Sequence, residues 1–448
     1  MLTSVAGPVL VPGDAGYADE LSFFNLSVGH QPQVVVGATS AADVQAAIRH
    51  SHDVRRPVAV LNTGHGPSVS TPADAVAITT RRMTGLTIDA ERRTARAEAG
   101  VRWGQVVEEA AEAGLAPLAG SSPTVGVVGY TLGGGVSIAM ARKFGYAADH
   151  VRRIELVTAD AELRTVDATS EPDLFFALCG GKGNFGVVTA IEFDLFPVTD
   201  LYAGALLYAG ADARDVLTAY RRFTATAPDE VTSSVLLLRA PDLPFVPEVM
   251  RGKLTVSVRL AYVGTADDGA ALVAPLRAAA PVLMDTVAPM PAAEIAGITN
   301  DPTEPGAAVE HFAVLDELGA DTVDAVLDVV GPDAETAITM VNLSHLGGAL
   351  GRAPRVPNAV RRDIGFAVFA LTAVAPDQVE AQRDAGRELI DRLATGRRHP
   401  GYLAPADASV DAVRTAYDEA TYQRLQEVKT KYDPANVFRF NHNIPPLG

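Results

Sequence analysis

Three glycine-rich stretches, and one histidine set between glycines, are the parts of this chain whose residue types and spacing could do chemistry. They are Asn62-Thr63-Gly64-His65-Gly66, the segment Ser121 to Ser137 with five glycines in seventeen residues, and Gly180-Gly181-Lys182-Gly183-Asn184-Phe185-Gly186. A residue without Cβ lets the backbone approach a ligand closely and aim N–H groups at phosphate oxygens. One such loop is ordinarily a turn; three exceed what turn-making needs. Neither Walker spacing nor a strand–GxGxxG–helix unit fits them, so they suggest a nucleotide cofactor held by loops. His65 is either a surface turn histidine or a nucleophilic imidazole exposed by small neighbours and able to bond a cofactor covalently. No metal site is expected. The nine histidines show no ligand spacing, and His50 and His52 lie two apart on an expected helix and diverge. The single cysteine, Cys179, excludes an intramolecular disulfide or a Cys-based zinc site.

The elements that must position these loops alternate. Val34–Val36 reads as a buried strand, and Ser40 is a good N-cap for a helix over 41–52 with Val44, Ala47 and Ile48 on one face. Pro57–Leu61 and Ala75–Thr79 read as strands, followed by β segments at Leu86–Asp89 and Ala95–Ala99 and a helix starting near Trp103. Five glycines in seventeen residues argue against a stable helix in 121–137. The three glycine loops are expected to follow strands, with a further strand at Val187–Thr189. Beyond Pro197 the composition turns to Ala, Val and Pro. Strands are expected at Val235–Leu238, Leu254–Val263, Ala337–Leu343 and Phe366–Val374, with a helix at Ala270–Ala279. A last helix, Tyr422–Lys431, should end at Asp433-Pro434. No repeat at a solenoid period is visible.

The 448 residues carry a formal charge of −17. Nucleic acid and an anionic membrane surface both demand a basic face and are excluded as partners. Apolar residues are 48% and charged residues 20% of the chain, ordinary for a globular enzyme. The first twelve residues lack a basic n-region and are broken by Gly7, Pro8 and Pro12, so no signal peptide is expected. No uncharged apolar run reaches the ~18–20 residues of a membrane span. The expected location is cytoplasmic.

In order, Asn62-Thr63-Gly64-His65, Gly120 to Gly126, Leu132 to Gly135, Gly183 to Thr189, and the ending Tyr432 to Phe438 with Asn441 to Pro446 form a recognisable set. It resembles the berberine-bridge-enzyme-like flavoproteins of the vanillyl-alcohol oxidase/p-cresol methylhydroxylase superfamily. The opening, Pro12 to Tyr17 and Asn25, is similar too. The resemblance implies an α+β fold: a two-lobed FAD-binding domain over 1–199, a substrate domain over 200–400 whose antiparallel sheet roofs the flavin ring, and a segment over 401–448 that returns to the FAD domain. It implies that Asn62, Thr63, Gly64, His65 and Gly66 wrap the cofactor, with His65 bonded to the flavin 8α-methyl. Ser121, Ser122, Thr124, Val125, Gly126, Gly129 and Tyr130 would follow along FAD, as would Gly133, Gly134, Gly135 and Val136. Gly183, Gly186, Val187, Val188, Tyr402, Asn441 and Asn443 complete the implied cofactor set.

Relatives often carry a cysteine where this chain has Ser122, and a hydroxyl cannot form a cysteinyl flavin. The resemblance therefore implies attachment through His65 only. Val125 matches a position where a small residue admits dioxygen, which implies an oxidase. The usual tyrosine base is missing: Tyr402-Leu403-Ala404-Pro405 keeps Tyr402 but has Ala404 and Pro405 where relatives carry polar groups. Arg361-Arg362-Asp363 stands for a usual His-Arg-Asp. Acid–base work would fall to Tyr402, to His345, or to the pair Glu310-His311. The expected function is an FAD-dependent oxidase passing a hydride from a hydrophobic metabolite of secondary metabolism to flavin N5, with O2 reoxidising the flavin. A redox-neutral cyclase or isomerase, or a flavin-binding protein without turnover, are the alternatives. A monomer or homodimer is expected.

Overall fold

The computed structural model describes residues 2–66, 69–244, 246–393 and 395–448. Three sheets follow one another along the chain. The first contains β1 (Val9–Leu10), β2 (Val34–Gly37), β3 (Val58–Leu61) and β4 (Val76–Thr79) in the order β1-β2-β4-β3, with β2, β4 and β3 parallel. Val35, Val36, Ala77 and Ile78 are fully buried, as parallel strands covered on both faces must be. The helix Ala41–Asp53 crosses between β2 and β3, and the Ser40 hydroxyl accepts from Asp43 N–H at its start.

The second sheet is antiparallel: β5 (Leu86–Asp89), β6 (Thr94–Glu98), β7 (Val151–Val157), β8 (Leu163–Val166) and β9 (Val187–Asp194), in the order β5-β6-β9-β7-β8. The third holds the remaining strands: β10 (Asp200–Ala209), β11 (Val231–Arg239), β12 (Leu254–Tyr262), β13 (Val282–Asp285), β14 (Ala288–Pro291), β15 (Ala308–Leu315), β16 (Met340–His345) and β17 (Phe366–Ala373). Its order is β13-β10-β12-β11-β16-β17-β15, with β14 also on β10, and every pairing is antiparallel. Helices Ala213–Thr224, Ala266–Arg277, Ala320–Val330 and Arg387–Leu393 cover one face, where Val216, Tyr220, Val273, Val326 and Leu389 meet Val235, Val341, Leu343 and Val368. Strand side chains alternate between faces. The residues of opposite parity, Ser234, Glu310, Phe312, Asn342, Ser344 and Phe369, are only half-buried on the other face. The chain is α+β.

Two local expectations change. Val127–Leu132 forms a short helix inside the glycine-rich segment, because burying Val127, Thr131 and Leu132 outweighs the local cost of Gly129. Of the three glycine loops only that at 62–66 follows a strand: the segment from 120 follows the helix Trp103–Glu112 and a lone bridge from Ala116 to Phe196, and the loop at 180–186 follows a helix. Pro172–Gly181 is helical until it kinks at Cys179 and Gly180, then passes through a 3-10 turn, Lys182–Asn184, into β9. The run Leu174 to Leu178 is fully or nearly fully buried, and periodicity cannot tell such a run from a strand. Likewise, no helix among the described residues is long and apolar enough to cross a membrane.

Two anchors join the layers. Arg142 is buried and donates to the carbonyls of Leu346 (2.9 Å), Pro228 (2.9 Å) and Val231 (2.8 Å), tying the second lobe to the roof sheet. Lys429, on the final helix Glu419–Tyr432, is wholly buried with Asp433 at 2.7 Å and donates to the carbonyls of Asn184 and Phe438. The Asn184 side chain bonds His442 O and Ile444 N–H, so the tail is clasped to the turn at 182–184.

Candidate active site

A cavity of about 500 Å³ opens between the loops of the two lobes, the segment carrying His399 to Tyr402, and the tail, a size suited to a bound small molecule; the third sheet borders it through Tyr402, whose ring lies 5.9 Å from Phe312. The end of β3 delivers Asn62, Thr63, Gly64, His65 and Gly66 to its wall, and the 121–137 segment delivers Val125, Gly126, Gly129, Tyr130, Gly133, Gly135 and Val136. Gly183, Gly186 and Val188 come from the turn before β9 and from the start of that strand. Tyr402 and Asn441 come from the returning segment. These expected residues therefore share one space.

Others stand behind that wall. Ser122 and Thr124 hydroxyls lie 2.9 Å apart, and Thr124 Oγ1 is 2.8 Å from His65 Nε2, so they brace the imidazole. Ser121 O accepts from the Thr299 hydroxyl. Val187 is buried in the core beneath the first sheet. Asn443 is outside the cavity lining, its Oδ1 buried without a partner. Gly134 has φ +119°, and a Cβ there would point at Tyr146, Val360 and His399 rather than into open space. Its role is the turn itself.

His345 lies on the helix-covered face of the roof sheet, in register with Val341 and Leu343, with its ring 5.0 Å from Phe366 and stacked on it. Burial, with Arg142 nearby, pushes its imidazole down to about 3. Strand alternation turns it away from the cavity, and His311 shares that fate, bonding Arg383 O. The opposite parity carries Glu310 and Phe312 on the flavin-unit side. The Phe312 ring is 4.8 Å from Phe369 and 5.9 Å from Tyr402. Burial raises the Glu310 carboxyl to about 7, with Asn25 as its hydrogen-bond partner.

Sequence reasoning missed several lining groups: Phe23, His30, Lys182, His399, His442, Phe438 and Phe440. Most come from segments without a local motif. Lys182 was visible as the one cation inside a glycine loop. Burial lowers His65 to about 4, with Arg102 adding to the effect, so its imidazole is neutral and nucleophilic near pH 7. Its ring stacks on Phe24 with centroids 3.7 Å apart. His399 and His442 are pushed to about 3, mainly by burial and partly by Lys182. Tyr402 and Tyr130 phenols are held well above their ordinary range by burial. Cys179 is buried and its thiol is pushed up by burial, so it is no nucleophile.

The wall carries buried polar atoms that no group among the described residues satisfies: Asn62 Oδ1, Tyr130 Oη, His399 Nε2 and Asn441 Oδ1. Buried polar atoms are normally paired, so these four fit a polar ligand running along the cavity. A Cβ at Gly129 would meet nothing within 4 Å. A glycine-walled space with a neutral histidine at one loop and four unsatisfied polar atoms along its wall can hold a nucleotide-like cofactor. Among the described residues no cluster could hold a metal ion.

Comparison with known proteins agrees. Residues 32–167 match the FAD binding domain family, and residues 383–445 match the berberine and berberine like family. The chain is 27% identical to (R)-6-hydroxynicotine oxidase of Paenarthrobacter nicotinovorans over 99% of this chain and 98% of that protein. It is 28% identical to the FAD-linked oxidoreductase YgaK of Bacillus subtilis over 99% and 98%. The crystal structure of 6-hydroxy-D-nicotine oxidase from Arthrobacter nicotinovorans superposes with a TM-score of 0.84 at 26% identity, covering 100% of this chain and 99% of that one. A carbohydrate oxidase from Microdochium nivale, at 20% identity and a TM-score of 0.85 over 100% and 99%, shares the fold. The chain thus carries an FAD binding domain and a berberine-like domain, its homologues are FAD-linked oxidoreductases, and it is itself an oxidoreductase with FAD as cofactor.

Proposed function

We propose that this enzyme is an oxidase that takes a hydride from a small, largely apolar metabolite, of the kind made in secondary metabolism, and uses O2 as the electron acceptor. The observation that carries the substrate class is the aromatic corner where Tyr402, in the cavity wall, meets Phe312, which stacks on Phe369. That corner favours an apolar substrate face, while Ser234, Glu310, Asn342 and Ser344 on the same sheet face suit polar ends. Bound FAD supplies the two-electron chemistry; the chain's own residues orient, exclude water and handle protons.

His65, neutral and braced through Thr124, is the group proposed to bond the cofactor covalently, with Ser122 offering no second link. Val125 lines the cavity and leaves the passage proposed for O2. For the proton that leaves as the hydride departs, two groups are proposed: Tyr402, which lines the cavity, and Glu310, whose partner Asn25 lines it. The Tyr402 phenol is held protonated by burial and suits hydrogen bonding to the substrate. Glu310, tuned near neutrality, suits proton acceptance. The proposed location is cytoplasmic, which the single, buried cysteine suits, and the proposed state is a monomer or homodimer.

The test is oxygen consumption and peroxide release against a panel of small apolar alcohols and amines. Product formed with matching peroxide supports the reading. Product formed without O2 uptake would replace it with the redox-neutral cyclase or isomerase.

A further inference from the structure

Lys182 sits where a side chain is costly. Its φ of 57° and ψ of −144° fall in a region that glycine occupies freely and other residues rarely adopt. Glycines flank it on both sides, so a fourth glycine would suit the turn better than lysine. The side chain nevertheless lines the cavity. Its Cε lies 3.6 Å from where a Cβ on Gly133 would stand. Among the described residues its ammonium has no hydrogen-bond or ion-pair partner. The nearest carboxylate, Asp407, is engaged by Arg398 at 2.8 Å and influences Lys182 only at longer range. The other groups that feel its charge, His399 and His442, are neutral. Burial draws the ammonium down to about 8, so it stays charged at pH 7 and is held by the cavity rather than by a protein counter-charge.

A strained backbone and an uncompensated cation in one residue call for an anion that arrives with function. His399, which feels the Lys182 charge, has its ring 5.2 Å from Tyr402, and Tyr402 in turn meets the roof at Phe312. A Cβ on Gly401, the residue before Tyr402, would stand 2.9 Å from Gly133 O, so Lys182, Gly133 and Tyr402 share one side of the cavity. Hydride transfer moves two electrons and one proton from the substrate C–H bond to a neutral ring. The substrate's second proton goes to a protein base, so the ring gains one negative charge. We propose that Lys182 provides the positive charge that stabilises this reduced, anionic flavin and thereby raises the flavin's reduction potential. The inference rests on the flavin reading of the cavity and extends it to a residue that tunes the cofactor electrostatically.

The experiment compares wild type with Lys182→Gly and Lys182→Gln, measuring flavin per polypeptide as isolated, the two-electron midpoint potential, and thermal stability. Lys182→Gly removes both charge and strain; Lys182→Gln removes the charge alone. Both should keep their flavin and favour the reduced form at least ~10-fold less, a fall of about 30 mV for each tenfold in a two-electron couple. Lys182→Gly should melt at a higher temperature than Lys182→Gln, which separates electrostatics from folding. An unchanged potential in both variants overturns the proposal. So does loss of flavin with an unchanged potential in what remains, which would assign Lys182 to the cofactor's phosphates. A wild-type protein that never carries flavin would instead sink the reading on which the proposal rests.

Discussion

Asp433→Asn should cost far more than a surface charge change, and its damage should reach the cavity. Lys429 and Asp433 are both fully buried, 2.7 Å apart. Asp433 also accepts from Val437 N–H (2.7 Å) and Phe438 N–H (3.0 Å), while Lys429 holds Asn184 O (2.7 Å) and Phe438 O (3.0 Å). The substitution keeps the shape but leaves a buried ammonium without its counter-charge. Breaking such a pair typically costs about 3–5 kcal/mol, a large part of a domain's stability. Because Asn184 belongs to the turn carrying Lys182 and Gly183, loosening this clasp should also lower flavin content. Urea unfolding followed by tryptophan and flavin signals would measure both effects. The double variant Lys429→Met/Asp433→Asn removes the stranded charge and should recover much of the loss. A single variant within ~1 kcal/mol of wild type, or a double variant no better than the single, would refute the buried-charge argument.

His65→Ala should abolish any acid-stable flavin on the polypeptide; if the wild type itself releases all its FAD on acid precipitation, the covalent link is absent while FAD binding stands. Gly134→Val forces a β-branched residue to φ +119° and should destabilise the fold by about 1–3 kcal/mol, seen as a lower melting temperature before any effect on cofactor contacts. Glu310→Gln tests the raised carboxyl. In the folded state Glu310 stays protonated up to about 7, against 4.5 unfolded. Its contribution is therefore fully present below about pH 4.5 and lost as pH rises through 7. The variant should gain on wild type across that window, by about 3 kcal/mol at most, and a gap that does not vary with pH would contradict the assignment.

Much of the cofactor wall was legible because its signals are local. Gly64, Gly126 and Gly183 stand in short motifs, and His65 is flanked by glycines whatever the tertiary fold does. The helical pattern after Ser40 and the buried Val34–Val36 run were legible for the same reason: cap and periodicity lie within a dozen residues. The roof was not. Whether Glu310 or His311, Ser344 or His345 faces the flavin unit depends on strand register and on which face the helices cover, and a shift of one residue exchanges the two sets. His442 and His399 reach the cavity from segments distant in sequence, the first held through the Asn184 and Lys429 bonds and the second stacked on Tyr146. The strain at Lys182 needs a backbone angle, which no composition reveals.

Reoxidation of the reduced enzyme tests the central claim without needing a substrate. The purified flavoprotein is photoreduced under argon, mixed rapidly with air-saturated buffer, and followed by flavin absorbance and peroxide assay. An oxidase should regain its oxidised spectrum within seconds and release peroxide in proportion to its flavin. A flavin that stays bleached in air until an artificial acceptor is added would contradict the account and make the protein a dehydrogenase.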